Sequence, residues 1–150
     1  MIKVKRIDHI AIAVADRDAS AASLTTLFGL TVGARERVAT QATDVAFLHA
    51  DAGAPGSDGR DGDGDAAIEL CAPSGDGAIK RFLERRGPGL HHVCFEVDDL
   101  PAALAALKAA GVRLIDETPR PGARGHQVAF LHPAATGGVL FELCSSETHA

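Results

Sequence analysis

The 150-residue sequence predicts an α+β fold built from two copies of a βαβββ module. The first observation is that IDHIAIAVAD (7–16) resembles LHHVCFEVDD (90–99), which places His92 83 positions after His9. The second is that FLHADAG and FLHPAATGG also match, with Phe130 again 83 positions after Phe47. Two coincident registers indicate an internal duplication, and two copies alone make a paired module and not a solenoid.

The two copies end in matching strands, AIELC (67–71) and LFELC (140–144). Glu142 lies only 73 positions after Glu69, so the first copy carries ten more residues than the second. These extra residues fall in DAGAPGSDGRDGDGD, a Gly/Asp-rich stretch without apolar periodicity that predicts a loop at 50–66. We therefore expect one domain, 1–150, with repeats at about 5–73 and 88–146 and a connecting helix at 77–86.

Each copy reads as strand, helix and three further strands. Asp16 or Asp18 can cap the first helix and Gly29 ends it, while Asp98 or Asp99 caps the second helix. Pro101 suits the first turn of the second helix, which ends at Gly111. The apolar spacing predicts the buried faces: Leu24, Leu27 and Phe28 in the first helix, Leu104 and Leu107 in the second, and Ile79, Phe82 and Leu83 in the connecting helix.

The composition excludes several classes of partner. The net charge of −5 argues against a nucleic-acid-binding surface, and the absence of Trp and Tyr argues against base stacking. The apolar runs are too short to cross a membrane, and the N-terminal run reads as a strand and not as a signal peptide. Cys71, Cys94 and Cys144 have no CxxC spacing, so we expect reduced thiols and a cytoplasmic protein.

Strand alternation places four polar side chains at equivalent positions in the two copies. His9 shares a face with Ala11 and Ala13, whereas the branched residues between them point to the opposite face. A charged side chain in the middle of an apolar strand is costly unless it is paired or bound to a cation. Imidazoles and carboxylates suit a divalent transition metal and leave open coordination positions. The candidate metal ligands are His9, Glu69, His92 and Glu142.

The other paired histidines do not enter this set. His91 precedes His92 and therefore points to the opposite face, where it is a packing or surface residue. His49 and His132 match in the repeat but follow apolar strands at turns, which favours a surface role for both.

These residues resemble the vicinal oxygen chelate superfamily, which includes glyoxalase I, extradiol dioxygenases and antibiotic-resistance proteins. The stretches IDHIAIAV, GLHHVCFEVDDL, GVRLIDETPRPGARGHQVAFLHP and GGVLFELC are most similar to the methylmalonyl-CoA epimerase family. The resemblance implies duplicated βαβββ modules that form a half-open, barrel-like sheet around one metal ion. It also implies a homodimer that acts on an acyl-CoA thioester.

The resemblance further implies epimerisation at C2 of methylmalonyl-CoA, or of a close 2-alkylmalonyl-CoA, through a metal-stabilised enolate. When the family's ligand positions are transferred to this sequence, they fall on His9, Glu69, His92 and Glu142. The resemblance implies that Glu142 serves both as ligand and as base. Glu69 is the candidate for the second proton transfer. Co²⁺ is the favoured ion, although a set of two histidines and two glutamates also accepts Ni²⁺, Mn²⁺ or Zn²⁺.

The sequence departs from the family at two places. Some members have a catalytic glutamate where Val45 stands here, and Asp44 points to the opposite face. Relatives often have a lysine at Ala134 or Ala135, where it could hold CoA phosphates. The residues that could replace this lysine are Arg120, Arg124 and Lys80.

Two other functions remain open on this sequence. A glyoxalase-I-like lactoylglutathione lyase would use the same four ligands on a glutathione hemithioacetal. A non-catalytic ligand-binding protein of the same fold is the second alternative, although such proteins often lack the metal ligands.

Overall fold

The computed structural model describes residues 1–50 and 65–146. The chain divides into two compact units, which we call the 9–91 unit and the 92–150 unit; the latter also contains residues 1–8, so the strands Val4–Ala13 and Gly89–Val97 each have residues in both units. The loop predicted at 50–66 lies almost entirely outside the described residues.

The 9–91 unit contains a four-stranded sheet in the order β2-β3-β4-β1. Strand β1 is parallel to β4, and β3 is antiparallel to both β2 and β4. Its elements are β1 (Val4–Ala13), α1 (Arg17–Phe28), β2 (Thr31–Val38), β3 (Thr43–His49), β4 (Ala67–Pro73) and α2 (Ala78–Arg86).

The 92–150 unit repeats this arrangement with the strand order β5-β8-β7-β6. Strand β5 is parallel to β8, and β7 is antiparallel to β8 and β6. Its elements are β5 (Gly89–Val97), α3 (Leu100–Ala109), β6 (Arg120–Pro121), β7 (Gln127–Phe130) and β8 (Phe141–Ser145). The predicted class, an α+β fold of two βαβββ modules, is confirmed.

The strand register confirms the duplication residue by residue. Ala11 pairs with Glu69 in the 9–91 unit, and Cys94 pairs with Glu142 in the 92–150 unit. Phe47 also pairs with Glu69, just as Phe130 pairs with Glu142. Glu69 therefore lies between Ala11 and Phe47 in its sheet, and Glu142 lies between the equivalent residues, Cys94 and Phe130.

One face of each sheet is covered by a helix. In the 9–91 unit, Ala21 and Leu24 of α1 pack with Leu48 and Leu70. In the 92–150 unit, a larger cluster forms beneath α3, as predicted for Leu104 and Leu107. Its buried members include Val97, Leu100, Leu104, Leu107, Leu131 and Leu143.

The predicted packed face of α1 is wrong in two of its three residues. Leu24 is partly buried, but Leu27 and Phe28 are 71% and 69% exposed within the described chain. The contact face is centred on Ala21 and Leu24, and the last helical turn is not covered. Apolar spacing identifies the face of a helix but not how far along the helix the sheet covers it.

Helix capping follows the sequence signals. The Asp16 carboxylate accepts the N–H of Ala19 at 3.0 Å, and the Asp99 carboxylate accepts the N–H of Ala102 at 2.9 Å. Gly29 ends α1 with φ 68°, a left-handed conformation that costs glycine little. The predicted alternatives are thus resolved in favour of Asp16 and Asp99.

Replacing the α3 cap is expected to destabilise the fold measurably. Asp99→Ala leaves the N–H of Ala102 without its acceptor, which costs about 1 kcal/mol at a helix N-cap. Urea denaturation should show this loss in the free energy of unfolding. Asp98→Ala is the matched control, because Asp98 is exposed and its ion pair with Lys5 lies at the surface. Equal stability of Asp99→Ala and the wild type would contradict the assignment of the cap.

Two further expectations concern cysteines and membranes. Cys71, Cys94 and Cys144 are buried and form no disulfide, as predicted. Among the helices of residues 1–50 and 65–146, none combines the length and apolar character that crossing a bilayer requires.

Candidate metal centre

The first half-site, defined as His9, Phe47 and Glu69, lies on one face of the 9–91 sheet. His9 Nε2 is 2.6 Å from Glu69 Oε2, and both side chains are buried. The rings of His9 and Phe47 meet edge to face with centroids 5.6 Å apart. The Cys71 thiol donates to Glu69 Oε1 at 3.3 Å. The imidazole and the carboxylate are therefore held together without exposure to bulk water.

The second half-site, defined as His92, Phe130 and Glu142, has the same composition in the 92–150 sheet. His92 Nε2 is 3.8 Å from Glu142 Oε1, and both side chains are again buried. The rings of His92 and Phe130 also meet edge to face, with centroids 5.1 Å apart. The duplication thus repeats the three-residue arrangement as well as the sequence pattern.

Strand periodicity explains why these side chains share a face. Ala11 and Ala13 alternate with Ile10 and Ile12 on β1, so the histidine face carries small residues. Ile12 packs with the α1 cluster on the opposite face. On β4, Ile68 and Leu70 likewise join that cluster while Glu69 points away from it. The bulky residues therefore face the helix, and the polar residues occupy the face that it leaves uncovered.

The donor atoms in each half-site fit a divalent transition metal. Each half-site offers one imidazole nitrogen and one carboxylate oxygen, the donor types that suit cobalt, nickel, manganese and zinc. Their burial makes an unbound carboxylate costly, whereas a bound cation offsets that cost. Of the four predicted site residues, the structure brings together His9 with Glu69 and His92 with Glu142.

Sequence reasoning missed the roles of Phe47 and Phe130. In the sequence, Phe47 and Phe130 only define the 83-residue offset of the repeat, which is also the offset between His9 and His92. Each pairs with a half-site glutamate and contacts the half-site histidine with its ring. Each ring therefore packs against an imidazole and places apolar surface beside a buried carboxylate.

Two cysteines lie on the same face as the second half-site. Burial raises the pKa of Cys94 well above its ordinary value, so this thiol stays protonated beside Glu142. The pKa of Cys144 is lowered, chiefly because the Cys94 thiol is hydrogen-bonded to it. Cys94 and Cys144 pack with Val128 as a small buried cluster.

A buried ion-pair network adjoins the same cysteines. Arg6 donates to Asp8 at 3.1 Å and to Glu96 at 2.6 Å, and Arg124 also pairs with Asp8. Arg124 makes this contact from a left-handed backbone conformation with φ 57°. The negative charges of Asp8 and Glu96 are thereby compensated, as buried carboxylates require.

Strand β3 brings no carboxylate to the position where some relatives have one. Val45 is fully buried, on the same face as Phe47. Asp44 points the other way and accepts two hydrogen bonds from Arg37, at 2.7 and 3.1 Å. The hydrogen bond from Arg37 lowers the pKa of Asp44. Asp44 is therefore a surface ion-pair residue.

Two other histidines lie outside the half-sites. The ring of His91 contacts Phe82 of α2 with centroids 4.9 Å apart, so His91 is a packing residue. His132 Nδ1 accepts the N–H of Ala134 at 3.1 Å and caps a short turn. Neither belongs to a half-site.

The chain is similar to a known protein superfamily. The sequence profile of the Glyoxalase/Bleomycin resistance protein/Dioxygenase superfamily matches residues 8–130. The chain is 37% identical over 143 residues to the ethylmalonyl-CoA/methylmalonyl-CoA epimerase of Cereibacter sphaeroides, covering 93% of this chain and 97% of that protein. It is 35% identical over 140 residues to the human mitochondrial methylmalonyl-CoA epimerase, covering 92% of this chain and 72% of that protein.

Solved structures show the same similarity. A methylmalonyl-CoA epimerase in complex with methylmalonyl-CoA and NH4+ superposes with a TM-score of 0.85 at 34% identity, covering 97% of both chains. A Streptomyces coelicolor epimerase variant in complex with 2-nitronate-propionyl-CoA gives the same TM-score and identity, with the same coverage of both chains. The resemblance inferred from the sequence motifs is confirmed.

Proposed function

Because this chain belongs to the glyoxalase/bleomycin resistance protein/dioxygenase superfamily, we propose that it is a metal-dependent epimerase of methylmalonyl-CoA or a close 2-alkylmalonyl-CoA. The observation that carries the proposal is the repeated His–Phe–Glu half-site, in which register, burial and ring contacts agree between the two units. Epimerases of this substrate are also among the relatives that match over more than nine-tenths of the chain.

In this proposal, His9, Glu69, His92 and Glu142 together hold one divalent ion, with Co²⁺ favoured over Ni²⁺, Mn²⁺ and Zn²⁺. When bound, such an ion supplies Lewis-acid stabilisation of the negative charge that develops on the substrate oxygens. Two neutral imidazoles and two carboxylates match the donor preference of these ions, and each pair is already assembled within its unit.

The two glutamates also supply the proton chemistry. The Glu142 carboxylate accepts the proton from C2 of the substrate and becomes the carboxylic acid, and Glu69 in its protonated form delivers a proton to the opposite side of that carbon and becomes the carboxylate. A carboxylate held beside the reacting carbon acts as a general base without a long-range rearrangement. Return of the proton to the other face inverts the configuration at C2.

In this proposal, Phe47 and Phe130 exclude water from the half-sites and orient the histidines. Phe47 and Phe130 each place a ring against the half-site histidine and beside the half-site glutamate. A dry surface strengthens the electrostatic interactions of the carboxylates and protects a developing carbanion from bulk water. The homodimer that the resemblance implies and the cytoplasmic location that the cysteine pattern predicts stay predictions.

Substrate profiling tests this function against its alternatives. The metal-loaded protein should convert one C2 epimer of methylmalonyl-CoA into the equilibrium mixture and should not turn over methylglyoxal with glutathione. Chromatographic separation of the intact CoA thioesters, which are diastereomers because CoA is itself chiral, and the absorbance of the glutathione thioester provide the two readouts. Turnover of methylglyoxal alone would replace the proposal with the lactoylglutathione lyase. Inactivity on both, with metal bound, would favour a binding protein.

A further inference from the structure

Arg120 places a positive charge beside the second half-site. It pairs with Val128 across β6 and β7, so its side chain shares a face with Val128 and, two residues on, with Phe130. Its guanidinium carbon lies 5.5 Å above the centroid of the Phe130 ring. That ring in turn contacts His92. Arg120 is therefore one aromatic ring away from the proposed metal ligand.

Asp116 holds this arrangement in place. Its Oδ2 accepts the backbone N–H of Phe130 at 2.8 Å and lies 3.4 Å from Arg120 Nε. The N–H of Asp116 donates to the Phe130 carbonyl at 3.1 Å, which completes a reciprocal pair. Asp116 thus contacts both the backbone of Phe130 and the Nε atom of Arg120.

The guanidinium of Arg120 nevertheless keeps most of its donor capacity. Within the described residues its Nε is buried without a hydrogen-bond partner, and the side chain as a whole is 35% exposed. Guanidinium carries five N–H donors in a rigid planar fork. A guanidinium with a buried Nε that has no hydrogen-bond partner, and with the rest of the group partly exposed beside a half-site, is arranged to receive an anion from a ligand.

The neighbouring arginines are engaged elsewhere. Arg6 and Arg124 both pair with Asp8, and Arg6 also pairs with Glu96. Lys80, on α2 in the other unit, donates to the exposed Asp76 at 2.7 Å. Of the three basic residues considered for an anionic ligand, Arg120 is the one whose side chain makes no hydrogen bond among the described residues; its polar contact is the 3.4 Å ion pair with Asp116.

We propose that Arg120 binds the free carboxylate of the substrate and thereby selects acyl thioesters that carry a second carboxylate at C2. This inference rests on the proposed function and assigns a residue to its substrate specificity. The planar fork matches a carboxylate with two parallel hydrogen bonds. The reacting end of the substrate lies at the half-sites, whereas the pantetheine arm separates the CoA phosphates from it. A monocarboxylic acyl-CoA lacks the group that Arg120 binds.

Binding measurements on four proteins test this proposal. Calorimetry would compare metal-loaded wild type, Arg120→Gln, Arg120→Lys and Arg113→Gln, the last being a control that removes the same charge from an exposed position. The ligands are racemic methylmalonyl-CoA, methylmalonyl-pantetheine without the CoA phosphates, and propionyl-CoA without the second carboxylate. Arg120→Gln should weaken both methylmalonyl ligands by about 10- to 100-fold, the range for charged hydrogen bonds, and leave propionyl-CoA unchanged. Arg113→Gln should bind all three as the wild type does.

The other outcomes are equally decisive. Weaker binding of both CoA esters with unchanged binding of the pantetheine ester would assign Arg120 to a CoA phosphate and overturn the proposal. Unchanged binding of all three ligands would also overturn it. If Arg120→Gln does not fold, Arg120→Lys decides, because it keeps the charge but loses the fork and should weaken only the methylmalonyl ligands. If the wild type binds methylmalonyl-CoA no better than free CoA, the proposed function fails and this inference fails with it.

Discussion

Glu142→Gln is expected to lower the rate of C2 epimerisation by about 10³-fold, within the range that a general acid or base contributes. The substitution keeps the size and shape of the side chain but removes the charge that accepts the C2 proton. It also replaces a carboxylate ligand by a weaker amide oxygen. The fold should survive, because Glu142 lies on the face opposite the α3 cluster, where Leu143 packs. Initial rates on one epimer of methylmalonyl-CoA, with thermal melting beside them, would measure both effects.

Glu84→Gln is the matched control for this experiment. Glu84 is an exposed residue of α2, so the same change of charge should leave the rate unaltered. Near-normal activity of Glu142→Gln would remove Glu142 from the mechanism. A collapse in melting temperature together with activity would show that its role is structural.

His92→Ala is expected to weaken the binding of the divalent ion by more than about 100-fold, whereas His91→Ala should bind it as tightly as the wild type. Changes in groups that merely orient a metal ligand already cost 10- to 100-fold in affinity, and removal of a ligand should cost more. The two histidines are neighbours in sequence but lie on opposite faces of β5: His92 beside Glu142 and Phe130, and His91 against Phe82. Metal content after dialysis, measured by mass spectrometry, gives the comparison.

This adjacent pair is its own control, because both variants remove one imidazole from the same strand. Loss of metal from both variants would indicate a general disturbance of β5. Retention of metal by His92→Ala would remove His92 from the ligand set, and with it the symmetry argument that also selects His9.

Much of the fold and the candidate site followed from strand periodicity and the internal repeat. Because adjacent residues of a strand face opposite sides, the sequence alone predicts that only one of His91 and His92 can belong to a half-site. The 83-residue register then identified His9 as the counterpart of His92. The four candidate ligands stay a prediction as a single set, as do the repeat boundaries 5–73 and 88–146.

Other features depend on contacts that sequence does not encode locally. Leu27 and Phe28 have helical apolar spacing, yet no element covers that turn of α1 in the described chain. The sequence offers Arg120 only as one of three residues that could hold CoA phosphates, because its position beside the half-site depends on Asp116 and Phe130, which reach it from neighbouring segments. Such positions are determined by tertiary packing, whereas periodicity reports only the face on which a side chain lies.

The central claim is that this protein removes and returns the proton at C2 of a 2-alkylmalonyl thioester. The most direct test mixes the metal-loaded protein with one epimer of methylmalonyl-CoA in D2O and follows deuterium at C2 by NMR. We expect rapid, metal-dependent incorporation together with racemisation, and much slower incorporation with Glu142→Gln. Retention of protium and configuration by a protein that has bound its metal would contradict the account.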